Sequence, residues 1–240
     1  MKYLAIDIGN TSVKAGFFKD TLLTAVHRFG SVPEVLSATG TYADMPVIIA
    51  SVTHTEEELR RIFSGFSRKV FLSRQTPVPL QNAYESRETL GYDRLAAAVG
   101  ANGRFPDQNC LIVDIGTAIK YDLVSAENAF VGGVISPGRK MRFQALHTFT
   151  KKLPLVDATD IPGLVGTHTE ACLKSGVMNG IVAELNGMIA SYMESYNPVV
   201  LLCGGDAPYF ETQIKYPTFA APNLVLEGLI RILLCNVAEA

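Results

Sequence analysis

A strand–turn–strand pattern that occurs twice constrains this chain more than any other feature of its sequence. The first copy, YLAIDIGNTSVKAG at Tyr3–Gly16, joins an apolar run ending on Asp7 to a small polar turn and a second β-rich run. The second copy, LIVDIGTAIKYD at Leu111–Asp122, repeats this arrangement around Asp114. The two aspartates are 107 positions apart (114 − 7), close to half of the 240 residues. A motif that recurs at this spacing predicts two similar domains that face one another.

The first turn carries groups that suit a phosphate. Gly9 and Asn10 tolerate positive φ, so we expect a two-residue hairpin turn here. Its backbone N–H groups would bind phosphate, and the Asp7 carboxylate suits a Mg²⁺ ion with its water ligands. The alternative is an ordinary hairpin turn, with Lys14 as a solvated strand lysine. The duplication favours the first interpretation, in which two facing turns hold opposite ends of an ATP polyphosphate.

Composition and charge are typical of a globular protein. Hydrophobic residues make up 48% of the chain and charged residues 18%, which excludes a disordered chain. The net charge is −2 and no long Lys/Arg block is present, so nucleic acid is not an expected partner. The sequence contains no run of about 18 apolar residues, so we expect no transmembrane span. Because Asp7 interrupts the first apolar stretch, we expect no signal peptide. These patterns predict a cytoplasmic protein without a membrane partner.

The cysteines and histidines give no sign of a metal site. The cysteines lack Cys-x-x-Cys spacing and mostly lie in apolar runs; they are Cys110, Cys172, Cys203 and Cys235. This pattern predicts reduced core residues rather than a disulfide framework or a zinc site. The four histidines are scattered without paired metal-ligand spacing, so a structural metal is not expected.

Strand and helix patterns alternate along the chain, which predicts an α/β fold whose opening hairpin makes the sheet mixed. The polar segment at 106–109 predicts a boundary between an N-terminal domain, 1–108, and a C-terminal domain, 109–240. A long helix is expected over about 168–195, opened by a Thr-x-x-Glu capping box that begins at Thr167.

Asp93 stands in the sequence Gly91-Tyr92-Asp93-Arg94, before an alanine-rich stretch that predicts a helix over 94–103. Two interpretations stay open. Asp93 is the cap of this helix, or it is a general base for a hydroxyl nucleophile. The second is chemically reasonable because phosphoryl transfer has a loose transition state and requires mainly positioning and late proton removal. Arg94 would then neutralise a substrate carboxylate.

A third glycine turn, Gly204-Gly205-Asp206, follows a predicted strand and precedes a predicted helix. Such a turn provides helix N-terminal amides and a flat surface against which a purine would lie. Turns of this kind are frequent, so it indicates an adenine site only in combination with the two Asp-Gly-Thr turns.

Five motifs in this order together resemble type III pantothenate kinase, a family of the actin- and hexokinase-like phosphotransferase superfamily. The resemblance covers nearly the whole chain. The motifs are DIGNTSVK (7–14), GYDR (91–94), DIGTAIKYD (114–122), GGVISPG (132–138) and GGDA (204–207).

The resemblance implies two similar actin-like (ribonuclease H-like) domains with mixed sheets flanked by helices, and ATP in the cleft between them. It implies ATP-dependent phosphorylation of pantothenate to 4'-phosphopantothenate, the first step of coenzyme A biosynthesis. The implied cofactors are Mg²⁺ with the ATP and a monovalent cation, K⁺ or NH₄⁺. The implied assembly is a homodimer with a shared active site.

The resemblance also implies a role for each matching residue. Asp93 would be the catalytic proton acceptor, Asp7 would bind Mg²⁺ through water, and Asp114 would bind the monovalent cation. The implied ATP-binding residues are Asp7, Ile8, Gly9, Asn10, Thr11, Ser12, Val13, Lys14, Thr117, Gly204 and Gly205. The implied substrate-binding residues are Tyr84, Gly91, Tyr92, Asp93, Arg94 and, from across the dimer interface, Thr169.

Two positions depart from the family pattern. Tyr92 stands where Ala or Val is common, a change that concerns packing. Lys120 stands where the family usually has Thr, and its cationic side chain would replace or repel the monovalent ion.

Two other functions stay open. One is a kinase of the same superfamily with another small hydroxyl or carboxylate substrate, such as a sugar or acetate. The absence of long inserts and the GYDR motif argue against it. The other is a non-catalytic nucleotide-binding regulator, against which the presence of all the required carboxylates argues.

Overall fold

The computed structural model describes residues 1–237. Contacts divide these residues into two compact units. The first unit consists of 1–108, 124–132 and the described residues from 223 onward, and the second consists of 109–123 and 133–222.

Strands and helices alternate along the chain, as the α/β pattern predicts. The strands are β1 (Lys2–Ile8), β2 (Val13–Lys19), β3 (Leu22–Phe29), β4 (Val47–Ser51), β5 (Lys69–Phe71), β6 (Gln81–Asn82), β7 (Cys110–Ile115), β8 (Ala118–Ser125), β9 (Ala129–Pro137), β10 (Val199–Cys203) and β11 (Phe219–Ala220). The helices are α1 (Val32–Thr39), α2 (Glu56–Ile62), α3 (Tyr92–Arg104), α4 (Arg139–Thr148), α5 (Thr169–Tyr196) and α6 (Leu224–Val237). None of these helices combines the length and apolar character that crossing a membrane requires.

The first unit contains a mixed sheet with the strand order β3-β2-β1-β4-β5. Strand β1 pairs antiparallel with β2 and parallel with β4, so the opening hairpin makes the sheet mixed, as predicted. All five residues of β4 are buried, which explains why its first four residues, 47–50, are apolar. The core beside this sheet includes Leu4, Ile6 and Ile49.

Helix α6 packs against α3 in the first unit because glycines remove side chains from the contact. A Cβ added to Gly100 would lie 2.5 Å from the Leu224 carbonyl oxygen, and one on Gly228 would overlap the Ala96 carbonyl group. Arg104 adds two hydrogen bonds to the Glu227 carboxylate, each 2.6 Å long.

The compact units differ from the two contiguous domains that the sequence predicts. The predicted break after residue 108 coincides with the first boundary of the units. The segment 124–132 and helix α6 instead belong with the first unit, in which Gln81 and Asn82 of β6 pair with Ala129 and Phe130. A hydrophobic pattern predicts that α6 is a helix, but it does not identify the surface on which that helix packs.

The second unit is built on neighbouring strands in the order β11-β10-β7-β8-β9, and both β7 and β11 run parallel to β10. Its core packs residues of β7 against the buried face of α5, which includes Met178, Ile181 and Leu185. Helix α5 begins at Thr169 after His168, and no side chain caps it, so the capping box predicted at Thr167 is wrong.

The cysteines divide into two pairs. Cys110 and Cys203 are buried, whereas Cys172 and Cys235 are exposed. The prediction that the cysteines are core residues is therefore wrong for Cys172 and Cys235. Both exposed cysteines lie on helices with one apolar face, where sequence context does not distinguish the buried side from the solvent side.

Candidate active site

The first Asp-Ile-Gly turn is longer than predicted. Ile8 pairs with Val13 in the β1–β2 ladder, so residues 9–12 connect the strands. The Gly9 N–H donates to the Ser12 carbonyl oxygen at 3.1 Å. Neither Gly9 nor Asn10 has positive φ, so the predicted two-residue hairpin turn is wrong. A four-residue connection reverses the chain without the left-handed conformation that a type I′ turn demands.

Asp7 and Lys14 lie directly opposite each other in the β1–β2 ladder, so their side chains extend from the same face of the sheet. Both residues are half-buried. Strands β1 and β4 run parallel, and the carboxyl ends of parallel strands are where ligands bind in open α/β sheets. A carboxylate beside the loop amides of 9–12 offers what a hydrated Mg²⁺ ion and a phosphate require. These residues therefore fit Mg²⁺.

The GYDR motif forms the beginning of α3. Gly91 is the N-cap and Tyr92 is the first helical residue, so the helix starts two residues before the predicted 94. Asp93 therefore lies within the first turn and is not the N-cap. A Cβ added to Gly91 would lie 2.5 Å from Oδ1 of Asp93. Glycine at this position thus leaves room for this carboxylate in the orientation that it has here.

The structure brings together Tyr84 and Arg94, two predicted substrate residues of the first unit. The guanidinium carbon of Arg94 lies 5.5 Å from the ring centroids of both Tyr84 and Phe130. The two rings meet edge to face at 5.8 Å. Arg94 is only 6% exposed. Cation–π contacts on two rings hold its planar group in one orientation, which suits recognition of an anion.

A cavity of about 400 Å³ opens beside the N-terminus of α3. Two of its lining residues, Gly91 and Tyr92, are among the predicted substrate residues. The other lining residues were not identified from the sequence; they are Ser51, Val52, Thr53, His54, Thr55, Arg74, Glu88 and Leu90. The alternating hydroxyl residues Ser51, Thr53 and Thr55, which begin at the last residue of the buried strand β4, were the sequence signal that could have indicated this cavity.

Local hydrogen bonds fix the turn after β4 that lines this cavity. The hydroxyl oxygen of Ser51 accepts from the backbone N–H of Thr53 at 3.1 Å and of His54 at 3.0 Å. The Thr53 hydroxyl lies 2.8 Å from Nδ1 of His54. This arrangement presents an imidazole and hydroxyl groups at the carboxyl end of β4, next to the parallel strand that carries Asp7.

The N-terminus of α4 packs against the second Asp-Ile-Gly turn. Gly116 and Thr117 alone connect β7 to β8, and the Gly116 N–H donates to the Ala118 carbonyl oxygen at 3.1 Å. The Gly138 N–H donates to the Thr117 carbonyl oxygen at 3.1 Å. A Cβ on Gly138 would overlap the carbonyl oxygens of both turn residues. Only glycine therefore allows the N-terminus of α4 to approach this turn so closely.

The remaining residues of the GGVISPG motif anchor the segment that leads into α4. The Ser136 hydroxyl donates to Glu184 of α5 at 3.1 Å, and Nε of Arg142 donates to the Pro137 carbonyl oxygen at 2.8 Å. The Tyr121 hydroxyl donates to the same Glu184 carboxylate at 3.1 Å. Burial and this neighbouring negative charge raise the pKa of Tyr121 above its ordinary value. Tyr121 therefore acts as a neutral donor in a network that positions Gly138.

The third glycine turn also contacts Asp114 within the second unit. Gly204 has φ +94°, and a Cβ there would lie 2.5 Å from Oδ1 of Asp114. The Asp206 N–H donates to the Ile115 carbonyl oxygen at 2.8 Å. A short 3₁₀ helix, Ala207–Tyr209, follows in place of the predicted α-helix. Three predicted motifs thus meet at the turn that follows Asp114.

Arg139 is a buried residue that sequence reasoning missed. Its guanidinium donates to Asp157 and to the Ala158 carbonyl oxygen, and it lies over the Tyr209 ring at 5.1 Å. Its Nε is 3.4 Å from Oδ2 of Asp206. In the sequence it belongs to a short basic cluster, which is typical of a solvated helix face.

Lys120 occupies the place beside Asp114 that a monovalent cation was predicted to fill. Its Nζ lies 2.7 Å from Oδ2 of Asp114, and the two side chains are 16% and 21% exposed. The residues at this position therefore do not fit a K⁺ or NH₄⁺ ion. Across residues 1–237, no three His, Cys, Asp or Glu side chains are grouped so that they could hold a metal ion.

Comparison with known proteins agrees with this geometry. Residues 3–191 match the family model described as type III pantothenate kinase. Type III pantothenate kinase of Cytophaga hutchinsonii is 41% identical over 238 residues, which are 98% of this chain and 99% of that relative.

Two solved structures share the fold at low sequence identity. One is the activator of the 2-hydroxyisocaproyl-CoA dehydratase from Clostridium difficile with bound ADPNP, with a TM-score of 0.55 and 13% identity over 100% of this chain and 96% of that one. The other is MreB 5 of Spiroplasma citri bound to AMPPNP, with a TM-score of 0.52 and 12% identity over 99% of this chain and 97% of that one. These likenesses concern the fold alone, and they confirm the predicted actin-like α/β class. By its sequence motifs, its family match and its relatives, the chain belongs to the type III pantothenate kinase family.

Proposed function

We propose that this protein transfers the γ-phosphoryl group of ATP to the primary hydroxyl of pantothenate, which yields ADP and 4'-phosphopantothenate and begins coenzyme A biosynthesis. The observation that carries the proposal is the N-terminus of α3. There, Asp93 lies in the first helical turn, Arg94 contacts two aromatic rings, and a cavity of about 400 Å³ opens beside Gly91 and Tyr92. A carboxylate, a fixed cation and a cavity are the parts that an acidic alcohol substrate requires.

Asp93 is the proposed proton acceptor. As the acceptor oxygen forms its bond to the γ-phosphorus and the bond to the β-phosphate oxygen breaks, the hydroxyl proton moves to the Asp93 carboxylate. A weak base suffices because the transition state is loose and the proton leaves late. Arg94 and Tyr84 bind the substrate, and the guanidinium attracts its carboxylate. Removal of the base is expected to slow turnover without weakening ATP binding.

The turn that follows β1 is the proposed phosphate site. Backbone N–H groups and hydroxyls of Ile8–Ser12 bind the ATP phosphates, together with Val13 and Lys14, and Asp7 holds Mg²⁺ through its water ligands. When bound, Mg²⁺ neutralises the phosphate charge. In the second unit, Thr117 contacts ATP and the Gly204–Gly205 backbone lies against the adenosine. Nothing lies within 4 Å of the Cβ position of Gly205, which supports this role.

A homodimer is the proposed assembly, with Thr169 of each subunit reaching the pantothenate of the other. Exposed apolar side chains in the second unit support an interface; they are Val134, Ile135, Met141, Phe149, Leu164 and Val165. Leu164 and Val165, 79% and 83% exposed, lie shortly before Thr169, the first residue of α5. Covering such residues with a second subunit removes apolar surface from water.

The substitution Asp93→Asn tests the proposed reaction. We expect turnover of ATP with pantothenate to fall about 10²–10⁴-fold, because general-base catalysis contributes that much. Calorimetric titration with a non-hydrolysable ATP analogue should give unchanged affinity. The matched control is Asp44→Asn, which changes an exposed aspartate of the same unit. Wild-type turnover in Asp93→Asn would exclude the general base. ATP consumption that pantothenate does not stimulate, in a panel with a sugar and acetate, would exclude the substrate.

Mixed subunits test the shared site. Asp93→Asn and Thr169→Val homodimers should each be inactive, while a heterodimer contains one site with both residues intact. After random exchange we expect about a quarter of wild-type activity. A mixture that stays as inactive as its components would contradict a site shared between subunits.

A further inference from the structure

We propose that the ammonium group of Lys120 is a built-in monovalent cation, so that the ATP site of this protein works without K⁺ or NH₄⁺. The inference rests on the proposed kinase function and deepens it. The observation behind it is the 2.7 Å ion pair between Nζ of Lys120 and Oδ2 of Asp114, formed by two largely buried side chains.

The fold places this lysine and this aspartate on one face of the second sheet. Ile119 and Tyr121 on β8 are fully buried in the core, and so are Val113 and Ile115 on β7. Side chains alternate along a strand, so Lys120 and Asp114 both extend from the opposite face. Only two residues connect the strands, which keeps the pair beside the Gly116–Thr117 turn. The position of the ammonium is therefore set by strand geometry.

One oxygen of the Asp114 carboxylate is paired, and the other lies in a crowded position. Oδ2 contacts Lys120, and Oδ1 lies so near Gly204 that a Cβ there would be at 2.5 Å. A mobile K⁺ ion approaching this carboxylate would meet a positive charge of equal size at close range, which repels it. A potassium site also requires several oxygen ligands that replace the water of the ion. An ammonium that donates from a strand satisfies the carboxylate without such ligands.

A tethered cation supplies the same charge without having to bind from solution. Lysine carries a compact ammonium with three donors, which resembles NH₄⁺ in charge and hydrogen bonding. Because the group is covalently attached, its occupancy does not depend on salt composition. The charge stays beside the turn that contains Thr117, where it favours the anionic phosphates of a nucleotide.

The first experiment measures wild-type ATP consumption with pantothenate in KCl, NaCl and tetramethylammonium chloride at equal ionic strength and saturating Mg²⁺. We expect turnover to agree within about twofold in the three salts, because no cation has to bind. A turnover that rises tenfold or more in KCl would overturn the inference and leave the proposed kinase function intact. Absence of pantothenate-dependent turnover in every salt would overturn the kinase function, and the binding experiment below would then decide the cation question.

The second experiment removes the tethered ammonium and leaves a small hydroxyl side chain in its place. In tetramethylammonium chloride, the turnover of Lys120→Thr should be about 10–100-fold below that of the wild-type protein, because the substitution removes a hydrogen bond between charged groups. KCl or NH₄Cl should recover most of this loss. The matched control is Lys151→Thr, which removes an exposed lysine of the same unit. If Lys120→Thr does not fold, Lys120→Gln takes its place. A folded variant that neither cation activates contradicts the inference, since the lysine would then have a purely structural role.

The third measurement does not depend on activity. The thermal unfolding midpoint of the wild-type protein should be the same in KCl and tetramethylammonium chloride, both without nucleotide and with a non-hydrolysable ATP analogue. Lys120→Thr should unfold at a higher temperature in KCl, because an ion that binds the native state stabilises it. A KCl-specific stabilisation of the wild-type protein would show that K⁺ binds beside Lys120, and would overturn the inference.

Discussion

The two Asp-Ile-Gly turns begin alike in sequence and are built differently. The first is a four-residue connection closed by a hydrogen bond between Gly9 and Ser12, within the turn itself. The second has two residues, and distant segments that contain Gly138 and Gly204 pack onto it. The first turn therefore depends mainly on the register of its hairpin, and the second depends on tertiary packing.

Each of the two aspartates is followed by a lysine on the neighbouring strand. Lys14 lies opposite Asp7 in the β1–β2 ladder, and the ammonium of Lys120 is 2.7 Å from the Asp114 carboxylate. The first turn combines a carboxylate with loop amides, which suits Mg²⁺ and phosphate. Beside the second turn, the Asp114 carboxylate forms an ion pair with Lys120. Similar motifs can therefore serve different parts of one reaction.

Among the tests of this comparison, the largest expected effect concerns Asp7, the proposed residue that holds Mg²⁺ through water. Asp7→Asn should lower turnover about 10²–10³-fold, as expected when a preorganised electrostatic contact to the reacting group is removed. The control is Asp20→Asn at the other end of the same hairpin, where an exposed ion pair with the N-terminus contributes little. Steady-state kinetics with pantothenate give the comparison. Turnover in Asp7→Asn equal to that of the control would remove the distinction between the turns.

The next effect is on stability and concerns two adjacent glycines. Gly204→Ala should lower the free energy of unfolding by about 2–4 kcal/mol, because it combines a left-handed φ with a clash against Asp114 and Ile115. Gly205→Ala should change it by less than about 1 kcal/mol, since no atom lies within 4 Å of its Cβ position. Urea unfolding measures both. Equal losses of unfolding free energy in the two variants would mean that close packing around Gly204 does not stabilise the second turn.

The sequence predicted the features that depend on local order. Alternation of apolar runs and turn residues indicated the α/β class and the mixed sheet, and five ordered motifs indicated the family. The family resemblance implied one substrate site for Tyr84 and Arg94; their side chains are in contact, and the substrate role stays a prediction. Such features are recorded in residue type and spacing, which a single sequence displays.

Other features depend on contacts between residues far apart in the chain. The cavity beside α3 joins the segment after β4 to Arg74 and Glu88, and the burial of Arg139 depends on Asp157 and Asp206. The assignment of α6 to the first unit depends on its packing against α3. The length of the first turn was also missed, since small polar residues are compatible with several connections.

A smaller effect on stability is expected from alanine substitutions at Gly138, which packs on the second turn, and at Gly9, which lies in the first turn. Gly138→Ala should lower the free energy of unfolding by about 1–3 kcal/mol, because its Cβ would overlap the carbonyl oxygens of Gly116 and Thr117. Gly9→Ala should cost less than about 1 kcal/mol, since its nearest atom is the Ser12 carbonyl oxygen at 3.3 Å and its φ is not positive. Denaturant titrations give both values. If Gly9→Ala lowers the free energy of unfolding more than Gly138→Ala does, the proposed difference between the two turns is wrong.

The smallest effect concerns alkaline pH and the strand before the second turn. Cys110 begins β7, and burial raises the pKa of its thiol from 9.0 to about 11. The unfolded chain therefore releases this proton at lower pH than the native protein does. This difference in the pKa of Cys110 does not alter stability below about pH 9. From pH 9 to pH 10 it lowers the free energy of unfolding by about 1 kcal/mol.

Urea titrations across this pH range, on the wild-type protein and on Cys110→Ala, isolate the contribution of that thiol. The variant is less stable at neutral pH because it loses buried atoms, but its stability should fall less steeply with alkaline pH. Exposed Cys172 supplies the control, since Cys172→Ala should keep the wild-type slope. Identical slopes in all three proteins would show that the thiol of β7 reaches water in the native state. The strand that leads to the second turn would then be less tightly packed than the comparison of the two turns requires.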